Sequence, residues 1–169
     1  GNTAGQYAES IFDHFGFDAV TLNPFMGEDS INPFLVHEDK GVFILCRTSN
    51  SSAHIFQNQK SNRGLFLYEE VAEWADSLNN KNNIGLVVGA TVPQELSIVR
   101  DLAPDLPILI PGVGAQGGDL EKSVIEGNKS GIGIINVSRD ISFSGDFTVE
   151  SIRSSAQSYV KKINEALND

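Results

Sequence analysis

Five short apolar runs punctuate this 169-residue chain: Phe17-Asp18-Ala19-Val20-Thr21-Leu22, Val42-Phe43-Ile44-Leu45-Cys46, Gly85-Leu86-Val87-Val88-Gly89, Ile108-Leu109-Ile110 and Ile132-Gly133-Ile134-Ile135-Asn136-Val137. None alternates strictly between apolar and polar residues, so they suit strands buried on both faces. Between the runs, apolar residues recur at helical spacing. Ala8, Ile11, Phe12 and Phe15 share one face, Tyr68, Val71, Ala75 and Leu78 a second, and Val149, Ile152, Ala156, Tyr159, Ile163 and Leu167 a third. A leading helix followed by five strand and helix repeats predicts a parallel α/β sheet with right-handed crossovers, covered by these helical faces.

Local signals refine the outline. Thr3 with Gln6, and Thr91 with Gln94, have capping-box spacing, and Pro93 suits a first helical turn. A helix between Glu28 and Lys40 is expected to break near Asn32-Pro33, because proline disfavours helix at the residue before it. Ser49 to Arg63 is polar and aperiodic and reads as an extended loop at a strand's carboxyl end, either plain surface or a binding element.

Two architectures compete. A doubly wound sheet would be complete with five strands, whereas a (β/α)8 barrel would lack three. Polar signals follow every strand, at Asn23-Pro24, Arg47-Thr48-Ser49, Thr91, Gly112 to Asp119 and Ser138-Arg139. Barrel enzymes build sites from the carboxyl ends of many strands and often hold phosphate between the last two loops. Residues 1–169 are therefore read as one domain forming part of a (β/α)8 TIM barrel.

Composition narrows the function. A hydrophobic content of 40% supports a core, and no apolar run is long enough to cross a membrane, so a soluble chain is expected. The formal charge of -10 repels nucleic-acid backbones. Cys46 alone allows neither a disulfide framework nor a thiolate cluster, which suits a reducing compartment such as the cytoplasm. His14, His37 and His54 lack metal-ligand spacing with one another or with Cys46, so no metal is expected. Trp74 is read as core or subunit contact. Gly85 and Gly89 flank a buried strand and need no cofactor.

The chemistry concentrates in Ile108 to Asp119. An apolar strand runs into a loop poor in side chains, where backbone amides can close on an anion; Gly112, Gly114, Gly117 and Gly118 permit the turns. The next strand ends in Ser138-Arg139-Asp140, placing a planar cation where the anion needs a partner. The two segments read as a phosphate clamp. Thr48 and Ser49 follow a strand end, where their hydroxyls and adjacent amides can donate and accept.

Leu109-Ile110-Pro111-Gly112-Val113-Gly114-Ala115-Gln116-Gly117-Gly118-Asp119 and Asn136-Val137-Ser138-Arg139 resemble the last two strand ends of the orotidine 5'-phosphate decarboxylase family, in its longer subgroup. Thr21-Leu22-Asn23-Pro24-Phe25-Met26-Gly27 and Leu45-Cys46-Arg47-Thr48-Ser49-Asn50 extend the likeness, in order, over essentially the whole chain as barrel strands four to eight. The resemblance implies decarboxylation of orotidine 5'-monophosphate to uridine 5'-monophosphate in de novo pyrimidine biosynthesis. It implies no metal, flavin or pyridoxal, and a homodimer with sites at the interface. An Asp crowds the substrate carboxylate, and a Lys ammonium stabilises and then protonates the carbon anion.

Those groups belong to the family signature Asp-x-Lys-x-x-Asp-Ile-x-x-Thr, whose last three positions Gly1-Asn2-Thr3 resembles. The chain is thus expected to hold no catalytic residue. No lysine is expected at a strand's carboxyl end beside a carboxylate, and an amino-terminal segment is expected to complete the barrel. The covered chain alone should be inactive.

By the same resemblance, Arg139 grips phosphate, Ser138 supplies a backbone amide where the family usually has glycine, and Gln116 bridges phosphate and base. Pro111 lines the base pocket, Thr48 and Ser49 read the base, Asn23 adds a polar contact, and Thr3 reaches substrate in the partner subunit. Two other readings stay open: another phosphate-binding barrel acting on a sugar phosphate, and a non-catalytic nucleotide-phosphate binding segment.

Overall fold

The structure is a computed structural model that describes residues 2–114 and 116–168. Gly1 and Ala115, which fall within motifs quoted above, lie outside the described residues. Helix α1 (Asn2–Ala8) passes into a π-helical turn (Glu9–His14) and then β1 (Ala19–Leu22). A 3-10 turn (Pro24–Met26) and α2 (Glu28–Leu35) lead to β2 (Gly41–Arg47). Helices α3 (His54–Gln57) and α4 (Leu67–Leu78) precede β3 (Ile84–Val88), α5 (Pro93–Leu102) precedes β4 (Ile108–Pro111), and α6 (Leu120–Gly127) precedes β5 (Gly133–Asn136). The short α7 (Arg139–Ser142) and long α8 (Val149–Asn168) follow.

All four pairings are parallel and the strand order is β1-β2-β3-β4-β5. A doubly wound sheet reverses direction at a switch point, and this one does not. Sequential order is the barrel arrangement. Among the described residues the sheet stays open, with β1 and β5 each paired on one side only.

Registered positions explain the burial. Val42, Ile44, Leu86, Val88, Ile108 and Ile110 face the helix layer and are fully buried, each worth about 1.5–3 kcal/mol by removal from water. On the other face Thr21 is exposed, Phe43, Leu45 and Leu109 are half-buried, and Ile134 is exposed. Burial on both faces, expected of every strand, therefore holds for β3 alone. Helices cover one side of the sheet, and nothing in the described chain fills the other.

Several local expectations are corrected. Phe15 is exposed, because the π turn, in which its amide bonds back to Ser10, rotates it off the 3.6-residue face shared by Ala8 and Phe12. Val149 and Leu167, at the ends of α8, are also exposed. Thr3 lies within α1, and the Gln6 amide turns to Glu9, so no capping box forms there. Val92 occupies the N-cap of α5; Thr91 instead directs its hydroxyl at the Ser49 carbonyl, 3.5 Å away, while Pro93 does take the first turn. Helix α2 runs through Pro33 to Leu35, steadied by Asn32 donating to Glu28 at 3.0 Å. The Ser49 to Arg63 segment contains α3 and an antiparallel bridge from Lys60 to Phe66, so it is more ordered than its composition implies.

Arg100 carries much of the sheet's lower end. Fully buried on α5, its guanidinium donates to the carbonyls of Ala103, Pro104 and Leu106 before β4, and of Gly127 and Ile132 before β5, at 2.7 to 3.3 Å. Burial pulls its pKa down, yet an arginine remains charged.

Candidate functional site

Pro111 and Asn136 end β4 and β5 and face each other in register. At these ends lies a cavity of about 150 Å³ lined by Ser49, Pro111, Gly112, Val113, Gln116, Asn136, Ser138 and Arg139. Ser49 reaches it from β2 by folding over the exit of β3. A side chain at Gly89 would meet the Ser49 backbone at 2.8 Å, so that crossing requires glycine. The Ser49 hydroxyl donates to Gln116 Oε1 at 2.9 Å, closing a bridge across the strand ends. Gly112, at φ +99°, holds the left-handed backbone that lets Gln116 fold back over it.

The glycine turn is braced from below. Gly117 donates to the Gly114 carbonyl at 2.7 Å and Gly118 to the Gly112 carbonyl at 3.1 Å. Asp119 caps α6 itself, accepting the Lys122 amide at 3.0 Å, so the carboxylate already occupies the place an anion would take at that helix end. Any anion contact from this side comes from the loop. Lys122 also approaches Asp119 at 3.5 Å, within the first turn of α6 and not at the end of β4. Both are partly exposed, belong to the helix cap, and do not line the cavity.

Arg139 is exposed at the cavity, and no carboxylate among the described residues forms a salt bridge with it. Its neighbour Asp140 is held away: Tyr159 donates to the Asp140 carboxylate at 2.8 Å, and Ser155 to its carbonyl at 2.9 Å. Burial, and then the bond to Asp140, raise the Tyr159 pKa and keep the hydroxyl a donor. Gly114, at φ +80°, fits against this pair, where any side chain would collide with the Asp140 carboxylate and the Tyr159 hydroxyl. The two halves of the expected clamp therefore interlock and share one concavity.

Of the residues expected at the site, Ser49, Pro111, Gly112, Gln116, Ser138 and Arg139 line this cavity. Gly114, Gly117 and Gly118 support it from behind. Thr48 stands next to Ser49 without lining it. Asn23 caps the turn after β1, accepting the Phe25 amide at 2.9 Å, and opens instead on a larger, mostly apolar cavity of about 860 Å³ with Phe25, Phe56 and Trp74. Thr3 is exposed on α1 and lines neither cavity. Val113, Gln57, Asp140 and Tyr159 were not foreseen; only Tyr159 carried a signal, as a polar-tipped residue on an apolar face. Cys46 is buried against the Tyr68 carbonyl, 3.1 Å away, and burial pushes its thiol pKa up, leaving it inert. No group of three His, Cys, Asp or Glu among the described residues could hold a metal.

A sequentially ordered parallel sheet, with a glycine-floored cavity bearing Arg139 at its last two carboxyl ends, is the arrangement of a (β/α)8 segment. The profile of the orotidine 5'-phosphate decarboxylase / HUMPS family matches residues 1–153, and the chain belongs to that family. It is 54% identical over 147 residues to an orotidine 5'-phosphate decarboxylase of Natronomonas pharaonis, covering 86% of this chain and 54% of the relative. The likeness to that of Verminephrobacter eiseniae is 54% over 150 residues, 86% of this chain and 55% of the relative. The solved orotidine monophosphate decarboxylase of Leishmania donovani superposes with a TM-score of 0.84 at 38% identity, over 98% of this chain and 64% of that one. The chain spans about half the length of the curated relatives it matches.

Proposed function

We propose that this chain is the substrate-holding portion of an orotidine 5'-phosphate decarboxylase, binding the phosphate and pyrimidine of orotidine 5'-monophosphate while the bond from ring to carboxylate breaks and carbon dioxide leaves. The observation that carries this reading is the meeting of Arg139, the Gly112 turn and the Ser49–Gln116 bridge around one cavity. Arg139 and the loop suit a phosphomonoester, and Ser49 and Gln116 stand between that end and the β2 exit where a base would lie. Binding energy from the phosphate end aligns the ring at a reacting carbon some distance away.

No lysine lines this cavity, so the acid and base of the reaction belong elsewhere in a complete barrel. The open edges of β1 and β5 are places for the remaining strands, since bare strand edges invite pairing. The test is loss of orotate absorbance from orotidine 5'-monophosphate. The 169-residue chain alone should show none, and the same chain within a completed barrel should show turnover and release uridine 5'-monophosphate. Turnover of a sugar phosphate instead, or none in the completed barrel, would overturn the reading.

A second copy is the partner this reading implies. Phe25, Met26 and Phe56 are 81%, 75% and 68% exposed at or beside the larger cavity, more apolar surface than a lone chain ordinarily shows water at one spot. Light scattering on the completed barrel should give twice the monomer mass, and a Phe25→Asp, Phe56→Asp double variant should halve it. A monomeric parent would refute the dimer. No helix among the described residues is long and apolar enough to cross a membrane, and the cytoplasm is the setting we assign.

A further inference from the structure

Arg139 is followed directly by an acid, Asp140, and the two side chains meet different surroundings. Arg139 is exposed and lines the cavity, whereas Asp140 is half-buried and does not line it. Opposite charges on adjacent residues at the start of so short a helix as α7 could pair across the cavity mouth, and here they do not. Among the described residues, the Asp140 carboxylate takes its one side-chain hydrogen bond from Tyr159, at 2.8 Å, and the Asp140 carbonyl takes another from Ser155, at 2.9 Å. Ser155 and Tyr159 stand one turn apart on α8, so a single helix face holds both the backbone and the side chain of the acid.

The holder is itself fixed. The Tyr159 ring packs against the hydrophobic core, with Lys162 Nζ 5.4 Å from its centroid, and Gly114 lies so close that a side chain there would strike both the Tyr159 hydroxyl and the Asp140 carboxylate. A carboxylate set loose beside Arg139 would act twice against a bound phosphate. It would compete for the guanidinium fork, and it would repel the anion directly.

We propose that Tyr159 is a positioning residue for anion binding: by holding the Asp140 carboxylate against Gly114, it keeps that acid off Arg139 and leaves the guanidinium free for a phosphate monoester. The inference rests on the phosphate reading of the cavity and deepens it, adding a side chain from α8 that touches no ligand. Its action is purely electrostatic in origin, so it should be felt by phosphorylated ligands alone and should vanish once residue 140 carries no charge.

The experiment is calorimetric binding of uridine 5'-monophosphate, ribose 5-phosphate and unphosphorylated uridine to the completed barrel carrying the parent sequence, Tyr159→Phe, Asp140→Asn or both changes. Tyr159→Phe removes only the donor and should weaken both phosphorylated ligands by about 5-fold, leaving uridine unchanged. Asp140→Asn keeps the shape and an oxygen for Tyr159, loses the charge, and should bind phosphorylated ligands at least as tightly as the parent. The double variant should match Asp140→Asn, because a neutral amide freed from Tyr159 has nothing to offer a guanidinium against phosphate. A merely structural Tyr159 would instead weaken all three ligands together, with no relief from Asp140→Asn. The inference is overturned by that pattern, by a loss in Tyr159→Phe of less than about 2-fold, or by a double variant as weak as Tyr159→Phe alone. A parent that binds uridine 5'-monophosphate no more tightly than uridine refutes the phosphate reading itself, and this inference with it.

Discussion

Arg139→Ala is expected to weaken binding of uridine 5'-monophosphate and ribose 5-phosphate to the completed barrel by about 100-fold or more, while the affinity for unphosphorylated uridine stays the same. A charge-assisted pair is worth roughly 1.5–3 kcal/mol per hydrogen bond, and a guanidinium offers two in parallel to a phosphate. Arg139 is exposed, which argues for the lower end of that range. Nothing nearby substitutes for it. Among the cavity residues it is the sole cation, and the chain's net charge of -10 makes the surrounding potential hostile to phosphate. Arg139→Lys should recover part of the loss, as a point charge without the fork. Calorimetry at two salt concentrations checks both statements, and equal phosphate affinity in parent and Arg139→Ala would remove the phosphate assignment.

Arg100→Met should be the most damaging single change to stability, by about 3–5 kcal/mol in urea unfolding, with ligand affinity intact in the fraction that stays folded. Methionine fills similar space but abandons five carbonyls that converge on one buried guanidinium. Leaving buried polar groups without their partner costs about 1–3 kcal/mol for each one that finds no replacement. These carbonyls precede β4 and β5, whereas the candidate site lies beyond their other ends. Stability and binding should therefore separate by end of the sheet, as they do in barrels generally. A loss below about 1 kcal/mol would show that the carbonyls find other donors.

What could be read in advance was whatever repeats locally. The five apolar runs became five strands, although only β3 is buried on both faces, and Gly112 and Arg139 could be paired because they follow successive strands. The features that escaped depend on contacts between distant segments. Arg100 stands beside Leu96 and Val99 on a face that looks like core, and its partners lie up to 32 residues away. Gln57 sits in a polar stretch without periodicity, so only the folded loop shows that it clasps Thr48. The capping boxes failed for a related reason: the spacing was present at Thr91, but its hydroxyl turns toward Ser49 across the sheet. Phe15 was misplaced because one π turn shifts every later position on its face.

The strand order has a consequence for how the chain acquires its shape. Each of β2 to β5 pairs with the strand synthesised just before it, so within the described residues each new strand needs only its own crossover before it finds a partner. A growing polypeptide released from its amino end could add one helix-and-strand module after another to a surface already formed, limiting the time any single edge between them spends bare to other molecules.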